Sequence, residues 1–212
     1  MAEYKIIYFP VYGRVEFSRM LLAHAKANWE DEAIGGEVFG ARKAAGEFPN
    51  GQLPILVHNG KMMNESMAIL RFLGKKFGYY SDDAAEAWYI DATADYSNDM
   101  LGKTYPPIMK KQFGEEEMKA FLDTIRTYVS HLNKQLVSHG KKFMCGDKMS
   151  TADFHVCHYV NAFIWNKASP MPEEWKVAAH AILAEHKEMH AHAEMMKAEM
   201  AEHLAKRFEA SF

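Results

Sequence analysis

One stretch of the chain combines features that can grip an extended peptide by its backbone and by its carboxylate. Residues 53–57 (LPILV) predict a strand with proline at its start, where the missing N–H costs least. Residues 58–61 (HNGK) predict a tight hairpin turn, and Ser66 then opens a helix. Backbone N–H groups at that helix start favour a bound carboxylate, and Glu65 offers a negative charge to an amine. The alternative is that Ser66 only caps its helix.

Two further groups of polar residues have spacings that could carry chemistry. Asp91, Asp95 and Asp99 recur every four residues, so they share one helix face and repel each other unless a cation lies opposite. The alternative is a plain solvated face. His186 and His190 have the spacing of a metal-binding pair, but no third ligand is fixed by spacing. We therefore predict a surface helix there and no metal.

The pattern Gln-Leu-Pro-x-Leu at residues 52–56, followed by Glu-Ser-x-Ala-Ile at residues 65–69, resembles the glutathione-binding half of the cytosolic glutathione transferases. The resemblance implies a cis proline, a backbone contact to the cysteinyl part of glutathione before it, and a γ-glutamyl site at Glu65 and Ser66. Residues 143–153 (FMCGDKMSTAD) are similar to the family segment F-x-x-G-D-x-x-T-x-A-D, which caps a buried helix. The resemblance covers nearly the full chain and implies glutathione as co-substrate, with no metal.

Activation of the glutathione thiol requires a group that stabilises the thiolate. A free thiol has a pKa near 8.5, and one hydrogen bond from a neutral hydroxyl supplies roughly the 2 kcal/mol needed to ionise it near pH 7. In the tyrosine-type transferases (alpha, mu, pi and sigma classes) a tyrosine at the end of the first strand has this role, and Tyr8 resembles it. Residues 13–16 (GRVE) resemble the family's G-R-A-E, whose arginine leans on that tyrosine and on the sulfur. The predicted catalytic residues are therefore Tyr8 and Arg14, with Tyr4 assigned to structure.

The resemblance also assigns the remaining binding residues. Phe39 and Lys43 look like the aromatic residue and the lysine that hold the glycyl carboxylate, with Arg42 as an alternative to Lys43, and Asp99 resembles an aspartate that reaches the glutathione amine of the other subunit. The predicted glutathione-binding residues are Phe39, Lys43, Gln52, Leu53, Pro54, Glu65, Ser66 and Asp99. The predicted pocket for a small hydrophobic electrophile consists of Phe9, Tyr12, Tyr96, Lys103, Tyr105, Phe208 and Phe212.

The elements that must position these residues follow from hydrophobic periodicity and turn signals. The order strand, helix, strand, helix, strand, strand, helix predicts an α/β thioredoxin-like N-terminal domain at residues 1–79. An all-helical domain is predicted at residues 84–212, after a polar connector. Its first helix is expected to end before Pro106-Pro107, and Ser150 to Asp153 to form a capping box. One last helix is expected from Met189 to Phe208.

Composition narrows the class of protein. The 212 residues are 49% hydrophobic and 25% charged with a net charge of −3, so no nucleic-acid or membrane partner is indicated. The apolar runs are far shorter than the ~20 residues of a membrane helix. Two isolated cysteines fit a reducing compartment, and the N-terminus leads straight into a strand without a signal peptide. We therefore predict a cytoplasmic protein.

The predicted function is conjugation of the glutathione thiolate to an electrophilic apolar substrate by a homodimer resembling the sigma and mu classes, as in detoxification. Phe48 looks like the mu-type phenylalanine that locks into a partner subunit, whereas residues 51–54 (GQLP) are more sigma-like. A glutathione-dependent isomerase or prostaglandin synthase is an alternative, although Tyr105 stands near the position where those enzymes have a tryptophan. A non-enzymatic binding protein is a second alternative, and the intact Tyr8 and Arg14 count against it.

Overall fold

The computed structural model describes residues 2–211 and contains a mixed four-stranded sheet followed by helices. The elements of the first part are β1 (Tyr4–Tyr8), α1 (Glu16–His24), β2 (Trp29–Ala33), α2 (Gly36–Ala44), β3 (Ile55–His58), β4 (Lys61–Met63) and α3 (Ser66–Phe77). The helices that follow are α4 (Ala84–Met109), α5 (Glu115–His139), α6 (Thr151–Phe163), α7 (Glu173–Ala184), α8 (Lys187–Glu199) and α9 (Ala201–Lys206). The predicted fold class, a thioredoxin-like α/β domain and then an all-helical domain, is confirmed. We propose that the boundary lies in the connector between α3 and α4.

The sheet has the strand order β2-β1-β3-β4, in which β1 pairs in parallel with β2 and antiparallel with β3. Asn59 and Gly60 both have positive φ, as a type I′ hairpin requires, so β4 folds back beside β3. Strand β3 begins at Ile55 rather than at Leu53. Pro54 therefore precedes the strand and costs the sheet no hydrogen bond.

Helix α4 differs from the sequence-based prediction because it continues through both prolines to Met109. The backbone carbonyls of Pro106 and Pro107 accept hydrogen bonds from Lys110 and Gln112, at 3.0 and 2.9 Å. A proline has a helix-compatible φ, but it lacks an N–H and its ring crowds the carbonyl four residues earlier, so the helix loses the bonds that these two residues would donate while their own carbonyls remain in use. The prolines therefore lie in the last turns of the helix and do not break it.

The C-terminal part of the chain also differs from the prediction of one helix between Met189 and Phe208. Two helices, α8 and α9, meet at Met200, whose φ of −93° and ψ of 7° leave the helical conformation. The Met200 side chain is almost fully buried. Neither a glycine nor a proline that would announce this break stands in the sequence around it.

Helix α6 is the centre of the molecule, since all of its residues are buried and it packs against α1, α3, α4 and α8. The predicted capping box at its start is confirmed. The Asp153 carboxylate accepts hydrogen bonds from the Ser150 backbone and hydroxyl, the Met144 backbone and the His192 ring, all between 2.8 and 2.9 Å. One buried carboxylate thus joins the start of α6, the loop before it and α8.

The α3–α6 contact leaves no room for a side chain at Gly74. A Cβ atom there would lie 2.3 Å from Cγ2 of Thr151. We expect Gly74→Ala to lower the free energy of unfolding by about 1 to 3 kcal/mol, because both sites are buried and the clash exceeds the gain in helix propensity. Urea unfolding measures this change.

Gly102→Ala in α4 is the matched control, since no atom lies within 4 Å of the added Cβ, and we expect it to be neutral or stabilising. Thr151→Ser, which removes the clashing methyl group, is expected to restore stability to the Gly74→Ala variant. Equal effects of the two alanine substitutions would contradict the close contact.

Candidate functional site

The Tyr8 side chain at the end of β1 is enclosed by the loop that follows the strand. The backbone N–H of Arg14 donates a hydrogen bond to Tyr8 Oη at 3.1 Å. Gly13, with a φ of 48°, lies so close that a Cβ atom would be 2.7 Å from both Cε1 and Oη of Tyr8. The loop therefore fixes the hydroxyl in one position, and only glycine fits beside it.

The Tyr8 hydroxyl can donate a hydrogen bond, but it does not ionise readily. Burial raises the pKa of the phenol, and the backbone hydrogen bond from Arg14 with the charges of Arg14 and Arg19 opposes this only in part. The hydroxyl is therefore protonated at neutral pH. Because its oxygen accepts the bond from Arg14, its own proton remains available to a ligand.

A cavity of about 190 Å³ lies at the junction of β3 and α3. It is lined by Arg14, Asn50, Gln52, Leu53, Pro54, Glu65 and Ser66. Six of these residues were predicted from the sequence, and the structure brings them together around one groove. The peptide bond between Leu53 and Pro54 is cis, as the resemblance implied.

Glu65 and Ser66 form the end of this groove at the start of α3. Ser66 is the first helical residue, and the preceding position is occupied by Glu65, whose side chain makes no capping hydrogen bond. The alternative in which Ser66 serves only as a cap is therefore not what the structure shows. Glu65 has a φ of 67°, a conformation that costs about 1 to 3 kcal/mol in a non-glycine residue and that is typical of binding sites.

Asn50 is a groove residue that the sequence analysis missed. Its amide donates to the Glu65 carboxylate at 3.1 Å and its carbonyl oxygen accepts from the Gln52 backbone at 3.2 Å. It thereby ties the loop before the cis proline to the start of α3. Its place directly before Gly51 in a turn-rich stretch is a weak signal in the sequence.

The residues predicted to hold the glycyl carboxylate lie on α2. Phe39 contacts the ring of Phe9 with centroids 5.2 Å apart, and the Lys43 ammonium lies 5.7 Å from the Phe39 ring. Lys43 is exposed and passes beside Gly51, so it reaches the same loop as the groove. The alternative cation, Arg42, is held in ion pairs with Glu32 and Glu47 and is less available.

Phe48 corrects one expectation. Its side chain is only 4% exposed and packs in a small cluster with Ile7, Ile34 and Ile55 of the same chain. The sequence-based expectation that this phenylalanine locks into a partner subunit is wrong. The apolar face of β1 and β3 needs a cover, and Phe48 provides it within its own domain.

The helical domain brings three polar groups to Tyr8 and Arg14. Asn98 of α4 accepts a hydrogen bond from the Arg14 guanidinium at 3.1 Å. Tyr105, two turns further along α4, is 7% exposed and lies within hydrogen-bonding distance of His158, with 3.3 Å between Oη and Nε2. Burial raises the pKa of Tyr105 well above its usual 10, and the neighbouring Tyr8 adds to this. Tyr105 is therefore a neutral hydroxyl close to the Tyr8 site.

Two residues predicted for the electrophile pocket lie on a different face of α4. Tyr96 stacks on Tyr128 and His131 of α5, with ring centroids 5.9 and 4.5 Å apart. Lys103 is seven residues from Tyr96, which is about two helical turns, so it shares that face and is exposed. Asn98, two residues from Tyr96, points about 200° away, toward Arg14. The structure thus brings Asn98 to the site in place of Tyr96 and Lys103.

Phe9 lies beside Tyr8, Tyr12 and Phe208 contact each other, and Phe212 lies outside the described residues. The rings of Phe9 and Tyr8 have centroids 5.6 Å apart. Tyr12 is 4% exposed, and its hydroxyl donates to the Phe208 carbonyl at 3.1 Å. Tyr12 therefore fastens the C-terminal segment to the loop that carries Arg14.

A buried ion network fastens the same segment to α1. The Glu16 carboxylate, 1% exposed, lies 2.8 Å from His203 Nε2 and 3.0 Å from the Arg207 guanidinium, with Arg19 behind it. Burial alone would raise its pKa, but the hydrogen bond from His203 and the neighbouring cations lower the pKa of Glu16 to about 2. These groups border a second cavity of about 820 Å³ whose charged walls are largely paired with one another.

The spaced aspartates find a cation on the neighbouring helix. Arg71 of α3 forms ion pairs with Asp91 and Asp95, each at 2.7 Å. Asp99, one turn further along α4, is exposed to solvent. The expected repulsion along this face is therefore relieved at two of its three positions.

Within residues 2–211, no three His, Cys, Asp or Glu side chains cluster in a way that could hold a metal ion. In the same part of the chain, none of the helices has the length and apolar character needed to cross a membrane.

The chain resembles known proteins over both of its parts. The family models described as "Glutathione S-transferase, N-terminal domain" and "Glutathione S-transferase, C-terminal domain" match residues 4–75 and 98–207. "Probable glutathione S-transferase 7" of Caenorhabditis elegans is 31% identical over 186 residues, which are 85% of this chain and 89% of that protein. "Glutathione S-transferase P" of Capra hircus is 34% identical over 160 residues, which are 74% of each chain.

Solved structures match over the full length. A major nematode-specific glutathione S-transferase of Caenorhabditis elegans has a TM-score of 0.82 at 27% identity, with 100% of both chains covered. A Nu-class enzyme from Haemonchus contortus has a TM-score of 0.81 at 26% identity, again covering both chains fully. The chain belongs to the glutathione S-transferase family. The transferase function predicted from the sequence is thereby confirmed.

The contact between Gly13 and Tyr8 gives a test of how the hydroxyl is placed. We expect Gly13→Ala to push the Tyr8 ring away from Arg14 and to lower the conjugation rate at neutral pH on the order of tenfold, or ~1.4 kcal/mol. Gly60→Ala is the matched control, because Gly60 also has a positive φ but no atom lies within 4 Å of its added Cβ. Comparable activities of the two folded variants would show that Tyr8 does not depend on this contact.

Proposed function

We propose that this transferase activates glutathione through Tyr8, whose hydroxyl donates a hydrogen bond to the thiolate sulfur. The observation that carries the proposal is the state of this hydroxyl: protonated, fixed by the Arg14 backbone, and with its proton unused. A donor of this kind lowers the pKa of the thiol by stabilising only its charged form. The Arg14 guanidinium adds a positive charge at the mouth of the same groove.

Glutathione would extend along the groove between Tyr8 and α3. The γ-glutamyl carboxylate would bind the N–H groups and hydroxyl at the start of α3, at Ser66, while Glu65 attracts the amine. The backbone at Leu53, held beside the cis proline, would pair with the cysteinyl residue, with Gln52 next to it. Lys43 and the Phe39 ring would receive the glycyl end.

The electrophile would bind on the other side of Tyr8, between the two domains. Phe9 and Tyr105 form its walls, and Tyr12 and Phe208 hold the C-terminal segment next to it. These aromatic side chains favour a small hydrophobic substrate. Tyr96 and Lys103 are left out of this pocket because they face α5 and solvent.

Within the family, we assign the chain to the tyrosine-type enzymes and nearer to sigma than to mu. Residues 51–54 (GQLP) are sigma-like, and Phe48, the residue that looked mu-like, is buried in its own domain. The binding-protein alternative gains no support, because Tyr8, Arg14, Glu65 and Ser66 are intact. The isomerase alternative gains none either, because Tyr105 stands near the position where those enzymes have a tryptophan. A cytosolic location fits the two free thiols, Cys145 and Cys157.

We also propose a homodimer that uses the exposed face of α4 rather than Phe48. Trp88 is 69% exposed and lies two turns before Asp95, on the face that carries the Arg71 ion pairs. A second copy placed on this face would cover an exposed aromatic ring. It would also bring Asp99 toward the glutathione amine of the other subunit.

Tyr8→Phe tests the proposed activation. The substitution removes one oxygen and leaves the packing of β1 nearly unchanged, so we expect glutathione binding to persist. The conjugation rate near neutral pH should fall by roughly thirty-fold, which corresponds to the ~2 kcal/mol of one lost hydrogen bond to the thiolate. The deficit should shrink as pH rises, because solvent then ionises the thiol without help. A pH–rate profile that matched the unmodified enzyme would assign Tyr8 to structure alone.

Glu65→Gln and Asp99→Asn separate the binding contact within one chain from the contact across the dimer. We expect Glu65→Gln to weaken glutathione binding at every protein concentration, by about 1 to 3 kcal/mol for a lost charge-assisted contact. Asp99→Asn should weaken it only where sedimentation shows twice the mass of one chain. Calorimetry over a dilution series gives both affinities. A monomeric mass at micromolar concentration would exclude the cross-subunit role.

A further inference from the structure

Two histidines of α6 are fully buried, and they differ in what they contact. His158 lies 3.3 Å from the Tyr105 hydroxyl through Nε2, and its ring meets the edge of Phe17. His155, one turn earlier, stacks on the same Phe17 ring with centroids 4.4 Å apart. Neither ring nitrogen of His155 has a hydrogen-bond partner among the described residues. A buried polar side chain is costly, so the hydrogen bond between His158 and Tyr105 calls for an explanation.

His158 is a neutral imidazole in the working range of the enzyme. Burial lowers its pKa to about 4, and the Glu16 carboxylate and the nearby Gly13 backbone oppose this only in part. Tyr105 is also uncharged, since burial raises the pKa of its phenol well above 10. The contact between them is therefore a hydrogen bond between two neutral groups in a dry environment, where it fixes orientation without adding charge.

The position of His158 links the two halves of the proposed site. The Tyr105 ring stands on α4, beside the proposed electrophile pocket, while the Gly13 backbone lies next to the His158 ring and encloses Tyr8. Among the described residues, Tyr105 is the side chain that lies within hydrogen-bonding distance of the His158 ring, and a second polar group near the ring is the Gly13 backbone.

We propose that His158 is a positioning residue that holds the Tyr105 hydroxyl in place for the second substrate. This role rests on the proposed electrophile pocket. Without His158, the Tyr105 hydroxyl would lose this hydrogen bond, and its orientation would be less restricted. The Tyr105 side of the proposed electrophile pocket would then vary in shape, while the glutathione groove would be unchanged.

The test compares three substitutions in the full-length enzyme. His158→Leu removes the polar atom at similar volume, and we expect about a fivefold rise in KM or fall in kcat/KM for the electrophile, the effect of a lost ~1 kcal/mol hydrogen bond. His158→Gln keeps a polar atom near the Nε2 position and should restore most of the loss. His155→Leu is the matched control, with equal burial on the same helix, and should change stability only. Glutathione affinity should be the same in all three.

A double-mutant cycle shows whether His158 acts through Tyr105. If it does, His158→Leu should cost little more in a Tyr105→Phe background than Tyr105→Phe costs alone. Additive effects, or a loss in His155→Leu equal to that in His158→Leu, would overturn the positioning role. A Tyr105→Phe variant with unchanged electrophile kinetics would instead contradict the proposed pocket.

A spectroscopic measurement keeps the proposal testable if His158→Leu does not fold. Nitrogen NMR of the unmodified enzyme reports the His158 ring nitrogens, and we expect the Nε2 signal to shift in Tyr105→Phe while the His155 signals stay in place. An unchanged Nε2 signal would show that the hydrogen bond is not formed in solution.

Discussion

The buried carboxylate of Asp153 is the interaction on which the arrangement of the molecule depends. An unpaired charge in the core would be costly, but this carboxylate accepts from two backbone N–H groups, the Ser150 hydroxyl and the His192 ring. It fixes where α6 begins and which way it points. Because α6 then packs against α1 and α4, the same carboxylate sets how the helical domain meets the domain that carries Tyr8.

The position of the Tyr8 hydroxyl depends on a second constraint, which is steric rather than electrostatic. Gly13 has no side chain, so the Arg14 backbone can approach the hydroxyl and hold it in place. The backbone N–H is a better anchor than a side chain, since it has no rotamer freedom to lose. No group within residues 2–211 accepts the Tyr8 proton, so the proposed contact with the thiolate would use a donor that is already oriented.

Local chemistry made much of this structure predictable from the sequence. The Asn59-Gly60 turn, the Ser150 capping box and the groove residues from Gln52 to Ser66 are each specified by neighbours in the chain. The electrophile side was less predictable because it depends on the rotation of α4 about its axis. Tyr96 and Asn98 differ by two positions, and only packing against α5 decides which of them faces Arg14. Phe48 was misassigned for a similar reason, since its role depends on a cluster of residues distant in sequence.

The C-terminal segment supplies cations that neutralise a buried carboxylate in the first part of the chain. Glu16 on α1 would be strongly destabilising alone, and the residues that neutralise it, His203 and Arg207, arrive from the other end of the chain. The same segment also presents its Phe208 carbonyl to Tyr12, beside the Arg14 loop. Neither contact is encoded locally, because each pairs residues almost two hundred positions apart. Tyr12 and Glu16 therefore gain these partners only when the C-terminal segment has packed against the first part of the chain, whereas the groove at the start of α3 is lined by residues between positions 14 and 66.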